Sequence, residues 1–197
     1  MYDIREANLR RITNETEIEA ALSLDGTGVF RANMPIGFFQ HMLEQVVRHG
    51  LFDLSLTVVG DTHVDGHHTI EDTGIVLGQA LSRALGEKVG ITRYGHALVP
   101  MDDTLARCVV DLSGRPYLHF EAPFTTPCLG DMDTEMVKEF FQALCVHGGL
   151  NIHAQVLHGE NNHHMAEALF KALGRALCQA VTLCPRTTGV PSTKGNL

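Results

Sequence analysis

His67-His68-Thr69-Ile70-Glu71-Asp72 is written a second time in this chain, as His163-His164-Met165-Ala166-Glu167, 96 positions later. The match continues past the polar residues: Leu77-Gly78-Gln79-Ala80-Leu81 aligns with Leu173-Gly174-Arg175-Ala176-Leu177 at the same offset, without a gap. A repeat of this kind predicts two copies of one helix, in a chain built of two similar halves fused around one core. Successive helical residues turn by about 100°, so His67 shares a face with Glu71, His68 shares a neighbouring one, and the two histidines diverge. Diverging imidazoles do not close on one ion, but each can hold a different ion with the glutamate near both. The duplicated His-His-x-x-Glu therefore predicts at least two metals. A solvated polar helix start would explain one such stretch; its recurrence with carboxylates favours metal binding.

Working outward, Glu15 to Leu24 alternates apolar and polar residues as a half-buried strand does. Asp25-Gly26-Thr27-Gly28 supplies a turn and Val29 to Ala32 a returning strand, which together predict a hairpin. Phe38, Phe39, Met42, Leu43, Val46 and Val47 have helical spacing and stop at His49-Gly50, with His41 on the same helix. Leu54 to Val58 reads as a strand, Gly60 to Gly66 as a polar loop and Thr69 to Leu85 as the first repeated helix. In the second half, His96 to Val99, Thr104 to Leu112, Tyr117 to Ala122 and Leu150 to Leu157 read as strands. Thr134 to Ala143 and Asn162 to Leu183 read as helices. The fold class is α+β: each half is a small mixed four-stranded sheet with helices on one face, and the two halves can pack helix layer against helix layer. The repeats cover approximately residues 1–90 and 91–184 of a single domain, followed by a non-periodic tail, 185–197.

No apolar run approaches the roughly 20 residues of a membrane span, and Met1-Tyr2-Asp3-Ile4-Arg5 lacks a basic stretch followed by an apolar one. A cytoplasmic protein is expected. Five scattered cysteines without a C-x-x-C pair argue against a disulfide framework. A formal charge of -8 excludes nucleic acid as a general partner, while leaving room for a local basic pocket. Twelve histidines against three tyrosines and no tryptophan point to metal or proton chemistry.

The repeat also suggests a partner for His41. It precedes His67 by 26 residues, and Glu139, on the corresponding helix, precedes His163 by 24. His41 is accordingly expected to support the first pair and Glu139 the second. An ordinary charged residue in a first helical turn explains Glu139 as well, and His147 and His153 are possible substitutes. Imidazoles and carboxylates without thiolates suit manganese, iron or zinc. Phosphate loops of the Walker or Rossmann kind are absent, as are serine and cysteine nucleophile motifs, so a phosphate must be held by side chains. Arg93, Arg115 and Ser192-Thr193-Lys194 are available for it. Asp102 and Asp103 suit acid-base work or simply a turn.

Several stretches carry a resemblance over essentially the whole chain. They are Asn14-Glu15-Thr16-Glu17-Ile18, Gln40-His41-Met42-Leu43, the two His-His segments, Gly95-His96-Ala97 with Pro100-Met101-Asp102-Asp103, Ser113-Gly114-Arg115-Pro116, and Pro191-Ser192-Thr193-Lys194-Gly195. Together they closely resemble the imidazoleglycerol-phosphate dehydratase family of histidine biosynthesis. The resemblance implies dehydration of imidazole glycerol phosphate to imidazole acetol phosphate by a two-manganese site between subunits of a large homo-oligomer, commonly of 24 chains. The departing hydrogen sits on an unactivated carbon beside the imidazole. Metals on the ring nitrogens would favour the imidazolate as an electron sink, and the hydroxyl would leave through a diazafulvene-like intermediate.

Carried over by position, the resemblance implies His41, His67, His68, Glu71, His163, His164, Glu167 and Glu139 as metal ligands. It implies Glu15 as a substrate contact and Glu71, Glu167 and Asp102 as acid-base residues. Arg93, Arg115, Ser192 and Lys194 would hold the phosphate. Gln40 stands where the family usually has an aspartate beside the histidine, and Glu139 where many members have histidine. Some relatives carry a fused phosphatase ahead of this domain; here the dehydratase alone is expected. Two rivals remain from the residues alone: a metal-binding or storage shell, and a two-metal hydrolase of a phosphorylated substrate.

Overall fold

The computed structural model describes residues 5–197; the start of the chain, Met1 to Ile4, read above for a leader, lies outside the described residues. The first half runs β1 (Glu6–Ile12), β2 (Thr16–Ser23), β3 (Phe30–Asn33), α1 (Gly37–Gly50), β4 (Asp53–Gly60) and α2 (His67–Leu85). The second repeats it as β5 (Tyr94–Met101), β6 (Thr104–Asp111), β7 (Tyr117–Glu121), α3 (Glu135–Gly148), β10 (Asn151–His158) and α4 (Asn162–Val181). A two-strand insert, β8 (Cys128–Leu129) and β9 (Met132–Asp133), separates β7 from α3. The sheet orders, β1-β2-β4-β3 and β5-β6-β10-β7, are equivalent. In each, the third strand is parallel to the last and the other pairings are antiparallel. The expected α+β architecture of two similar halves is the observed one.

The hairpin expected between β2 and β3 is not formed, because β4 lies between them and pairs with both. Two features explain it. Leu54, Leu56 and Val58 of β4 are all buried, so this strand belongs in the sheet interior. The turn before β3 is fastened to the start of β4, where the Asp53 carboxylate accepts the backbone N–H groups of Thr27 and Val29 at 2.8 and 2.9 Å. The real hairpin partner of β2 is β1, a strand absent from the sequence reading. Its residues at 10–12, Arg10-Arg11-Ile12, break the apolar alternation, since its outer edge is solvated.

Each sheet covers its own helices, and the helix layers meet: α2 packs on α3, and α1 on α4. Phe39 of α1, Phe140 of α3 and Phe170 of α4 are at most 1% exposed and join the layers. Phe140 meets Phe39 edge-on at 5.2 Å and stacks on Phe170 at 5.4 Å. Glycines let the helices approach closely. A Cβ added at Gly174 would lie 2.5 Å from the Val46 carbonyl oxygen, and one at Gly78 would lie 2.9 Å from that of Leu144. Gly50 is likewise inside α1, where a Cβ would strike the Phe52 ring, and the left-handed cap after it is Leu51 at φ 56°. No described helix is long and apolar enough to cross a membrane.

Candidate metal centre and anion cleft

Side chains just ahead of both repeated helices hold the backbone N–H groups of their histidines: Asn161 as the N-cap of α4, and Asp65, one residue before the Gly66 cap, at α2. Asp65 accepts from the His67 N–H at 2.8 Å, and Asn161 accepts from His163 and His164 at 2.9 and 3.3 Å. The adjacent rings diverge as the spacing predicts. The His67 and His68 centroids are 6.3 Å apart at 83°, and those of His163 and His164 are 6.3 Å apart at 84°.

Among the described residues, one group of three metal-capable side chains converges: His41, His163 and Glu167, with donor atoms all within 4.8 Å of one another. His41 Nε2 is 3.2 Å and His163 Nε2 3.0 Å from Glu167 Oε2. Sequence order suggested that His41 supports His67-His68, whereas the helix packing crosses the halves and gives His41 to the second motif. The same packing moves Glu139. Val46, which meets Gly174, lies five residues after His41; Leu144, which meets Gly78, lies five after Glu139. Glu167 and Glu71 each precede their glycine by seven. Glu139, half-buried, therefore stands level with His67 and Glu71 as His41 stands with His163 and Glu167. His67 Nε2 is 4.0 Å from Glu71 Oε2.

Glu167 is 7% exposed. Burial pushes its carboxyl up, but hydrogen bonds from Lys171 and His163, the Lys171 charge and a bond from His41 outweigh it and bring the group to about 2. Lys171, whose Nζ is 2.6 Å from Glu167 Oε1, was not found in the sequence reading, although its position one turn after Glu167 could have signalled it. His41 Nδ1 is approached by Gln45 at 3.4 Å, so the residue beside that nitrogen lies one turn onward rather than at Gln40.

The second histidine of each pair is tied at Nδ1 by a carboxylate. His68 is 3.0 Å from Asp61, which holds its pKa above the ordinary value, and His164 is 2.5 Å from Asp103. Asp103 also accepts from the backbone of Asn161 and Glu160, and these bonds with that of His164 hold it far below the usual carboxylate range. Such bonds set ring orientation and leave Nε2 as the free donor. Glu15 and Asp102 flank those free nitrogens, each at 3.7 Å. Asp102 sits at the turn tip with φ 49° and a 79% exposed side chain.

The cationic residues gather elsewhere. Arg93, Arg115, Ser192, Thr193 and Lys194 line a cleft of about 770 Å³. Arg93 orders the tail: its guanidinium takes Asp111 at 2.7 and 3.2 Å and donates to the Pro191 carbonyl at 2.8 Å. Asp111 holds the Arg93 pKa above the ordinary value. Among the described residues, the Arg115 guanidinium makes a 3.3 Å bond to the Ser113 carbonyl and leaves most of its donors unused.

This arrangement has known counterparts. The family described as imidazoleglycerol-phosphate dehydratase matches residues 34–177. An imidazoleglycerol-phosphate dehydratase of Roseobacter denitrificans is 55% identical over 195 residues, covering 98% of this chain and all of that protein. One of Methylobacillus flagellatus is 52% identical over 198 residues, with both chains fully covered. The crystal structure of the Staphylococcus aureus enzyme superposes with a TM-score of 0.80 at 39% identity, covering 90% of this chain and 99% of that one. That of Pyrococcus furiosus superposes with a TM-score of 0.81 at 34% identity, covering 96% and 100%.

Proposed function

Because the chain belongs to the imidazoleglycerol-phosphate dehydratase family, we propose that its metal-capable clusters and its anion cleft act on one substrate at junctions between copies of the chain. The chain is a hydro-lyase that dehydrates imidazole glycerol phosphate in histidine biosynthesis. One observation carries the proposal. Glu167 lies near the start of α4, while the anion cleft lies at its end, where Arg93 N–H donates to the Ala180 carbonyl. Thirteen residues of helix at about 1.5 Å each separate them by about 20 Å. A three-carbon chain between an imidazole and a phosphate spans well under half of that. A complete site therefore draws its cluster from one chain and its cleft from another, which supports a closed homo-oligomer, with 24 chains as the family expectation, working in the cytoplasm.

The donor set fits manganese: imidazoles and carboxylates without thiolate, with a buried ionised glutamate to balance charge. His41, His163 and Glu167 would hold one ion and His67, Glu71 and Glu139 a second, with His68 and His164 offering their free Nε2 atoms to a neighbouring copy. Bound there, the two ions would stabilise the substrate ring as an imidazolate. Glu167, held at about 2, stays ionised at neutral pH and serves as ligand rather than proton carrier. Glu71, Glu15 and Asp102 have side chains 47%, 51% and 79% exposed and can reach a substrate proton. Arg115, Ser192 and Lys194 receive the phosphate, with Arg93 holding the tail over it.

The test is complementation. Arg115→Ala and Glu167→Gln chains, each impaired alone when assayed at substrate below the native KM, should recover activity when unfolded together and reassembled, because some junctions then combine an intact cleft with an intact cluster. Mixed assemblies no more active than the parents would overturn the shared site. Phosphate release without dehydrated product would favour the hydrolase reading.

A further inference from the structure

We propose a second kind of metal site, on the outer face of the second sheet, formed by His119, His153 and Glu121 and taking an imidazole-preferring divalent ion such as zinc, nickel or copper. His153 was weighed from sequence as a substitute ligand for the helix clusters, but it lies on β10 and faces away from them, exposed on the sheet surface. There it stands directly opposite His119 of the parallel neighbour β7, with ring centroids 5.6 Å apart. Paired positions on adjacent strands put the two imidazoles on one side of the sheet.

The third donor comes from β7 itself. Side chains two apart on a strand share a face, and Glu121 Oε1 lies 3.1 Å from His119 Nε2. The Glu121 carboxylate is held in place, since Gln155 Nε2 donates to its other oxygen at 2.6 Å and Arg107 in turn donates to Gln155. On the opposite side the Tyr117 ring packs 5.5 Å from that of His153 and limits its rotation. Two imidazoles and one carboxylate, with solvent completing the sphere, match the preferences of zinc, nickel and copper better than those of manganese. The donor atoms of His119, His153 and Glu121 do not all lie within 4.8 Å of one another, so binding requires the imidazoles to rotate toward a common ion, and the 37% exposed His119 side chain has room to do so.

Such an ion would clip β7, the edge strand, to β10. Arg115 of the anion cleft lies two residues before β7, so the clip would also steady the entry of that loop.

Zinc titration of the manganese-loaded oligomer by calorimetry, read against variants, tests this. Beyond any zinc that exchanges into the helix clusters, which both proteins share, the native chain should take up one further zinc equivalent per chain that His119→Asn binds at least tenfold more weakly. Glu121→Gln should weaken it less. Both variants should keep native manganese content and dehydratase activity. Copper in the same site should show a paramagnetic resonance signature of two coordinating nitrogens, reduced to one in His119→Asn. Zinc uptake identical in native and His119→Asn protein, or copper with no nitrogen signature lost, would overturn the site.

Discussion

Gly174→Ala is the sharpest perturbation of the helix layer, because the added methyl meets backbone rather than a flexible side chain. Its Cβ would lie 2.5 Å from the Val46 carbonyl oxygen, against about 3.4 Å for ordinary contact, so α1 and α4 must part by about 0.9 Å. Alanine gains about 1 kcal/mol of helix propensity over glycine, while overpacking a tight contact costs about 1–3 kcal/mol. A net loss of about 0–2 kcal/mol is expected. The functional effect is larger. His41 and Glu167 lie five and seven residues from this contact, on the two helices being separated, and their 3.2 Å approach would open to about 4 Å if the helices moved as rods. Metal ligands tolerate roughly 0.2 Å. We therefore expect at least tenfold weaker binding at the His41 cluster, read by manganese titration beside a urea melt. Gly189→Ala, whose Cβ has nothing within 4 Å, is the control. A Gly174→Ala protein with native midpoint and native metal affinity would refute the reasoning.

Further expectations concern the other parts of the site. Asp103→Asn weakens the hold on His164 Nδ1, and metal affinity should fall about 10–100-fold, measured in the assembled oligomer. Arg115→Ala should raise KM at least tenfold with little change in melting temperature. Arg93→Ala, which leaves Asp111 half-buried and unpaired, should also cost about 2 kcal/mol of stability. The Asp53 carboxyl is held below its ordinary 3.8 by the Val29 and Thr27 N–H groups. Its stabilisation is therefore present above that pH and lost as pH falls through the lower folded value, so Asp53→Asn should flatten the acid limb of a stability curve and leave neutral pH less stable.

Local periodicity and repetition make most of the elements legible in the sequence. Glycine and proline punctuation bounded them, and the divergence of His67 from His68 followed from helix geometry alone. β1 escaped because its solvated outer end dilutes the alternation, and the supposed hairpin failed because β4 competes for both of its strands. Neither contest is visible within a few residues of sequence.

The candidate site divides along the same line. Its imidazoles and the helix carboxylates were readable, since such groups at fixed helical spacing have one geometry wherever the helix goes, whereas Lys171 and Asp61, which hold Glu167 and His68, were not. Which groups meet was not. Chain order paired His41 with His67, and tertiary packing gave it to His163 and Glu167, because glycines at 78 and 174 let each helix lie against one from the opposite half. Sequence by itself determined the duplicated helix and its donors; the tertiary structure decided the partners. Helix periodicity is a short-range property of the backbone, whereas the choice of neighbour depends on which surfaces can approach closely enough to exclude water.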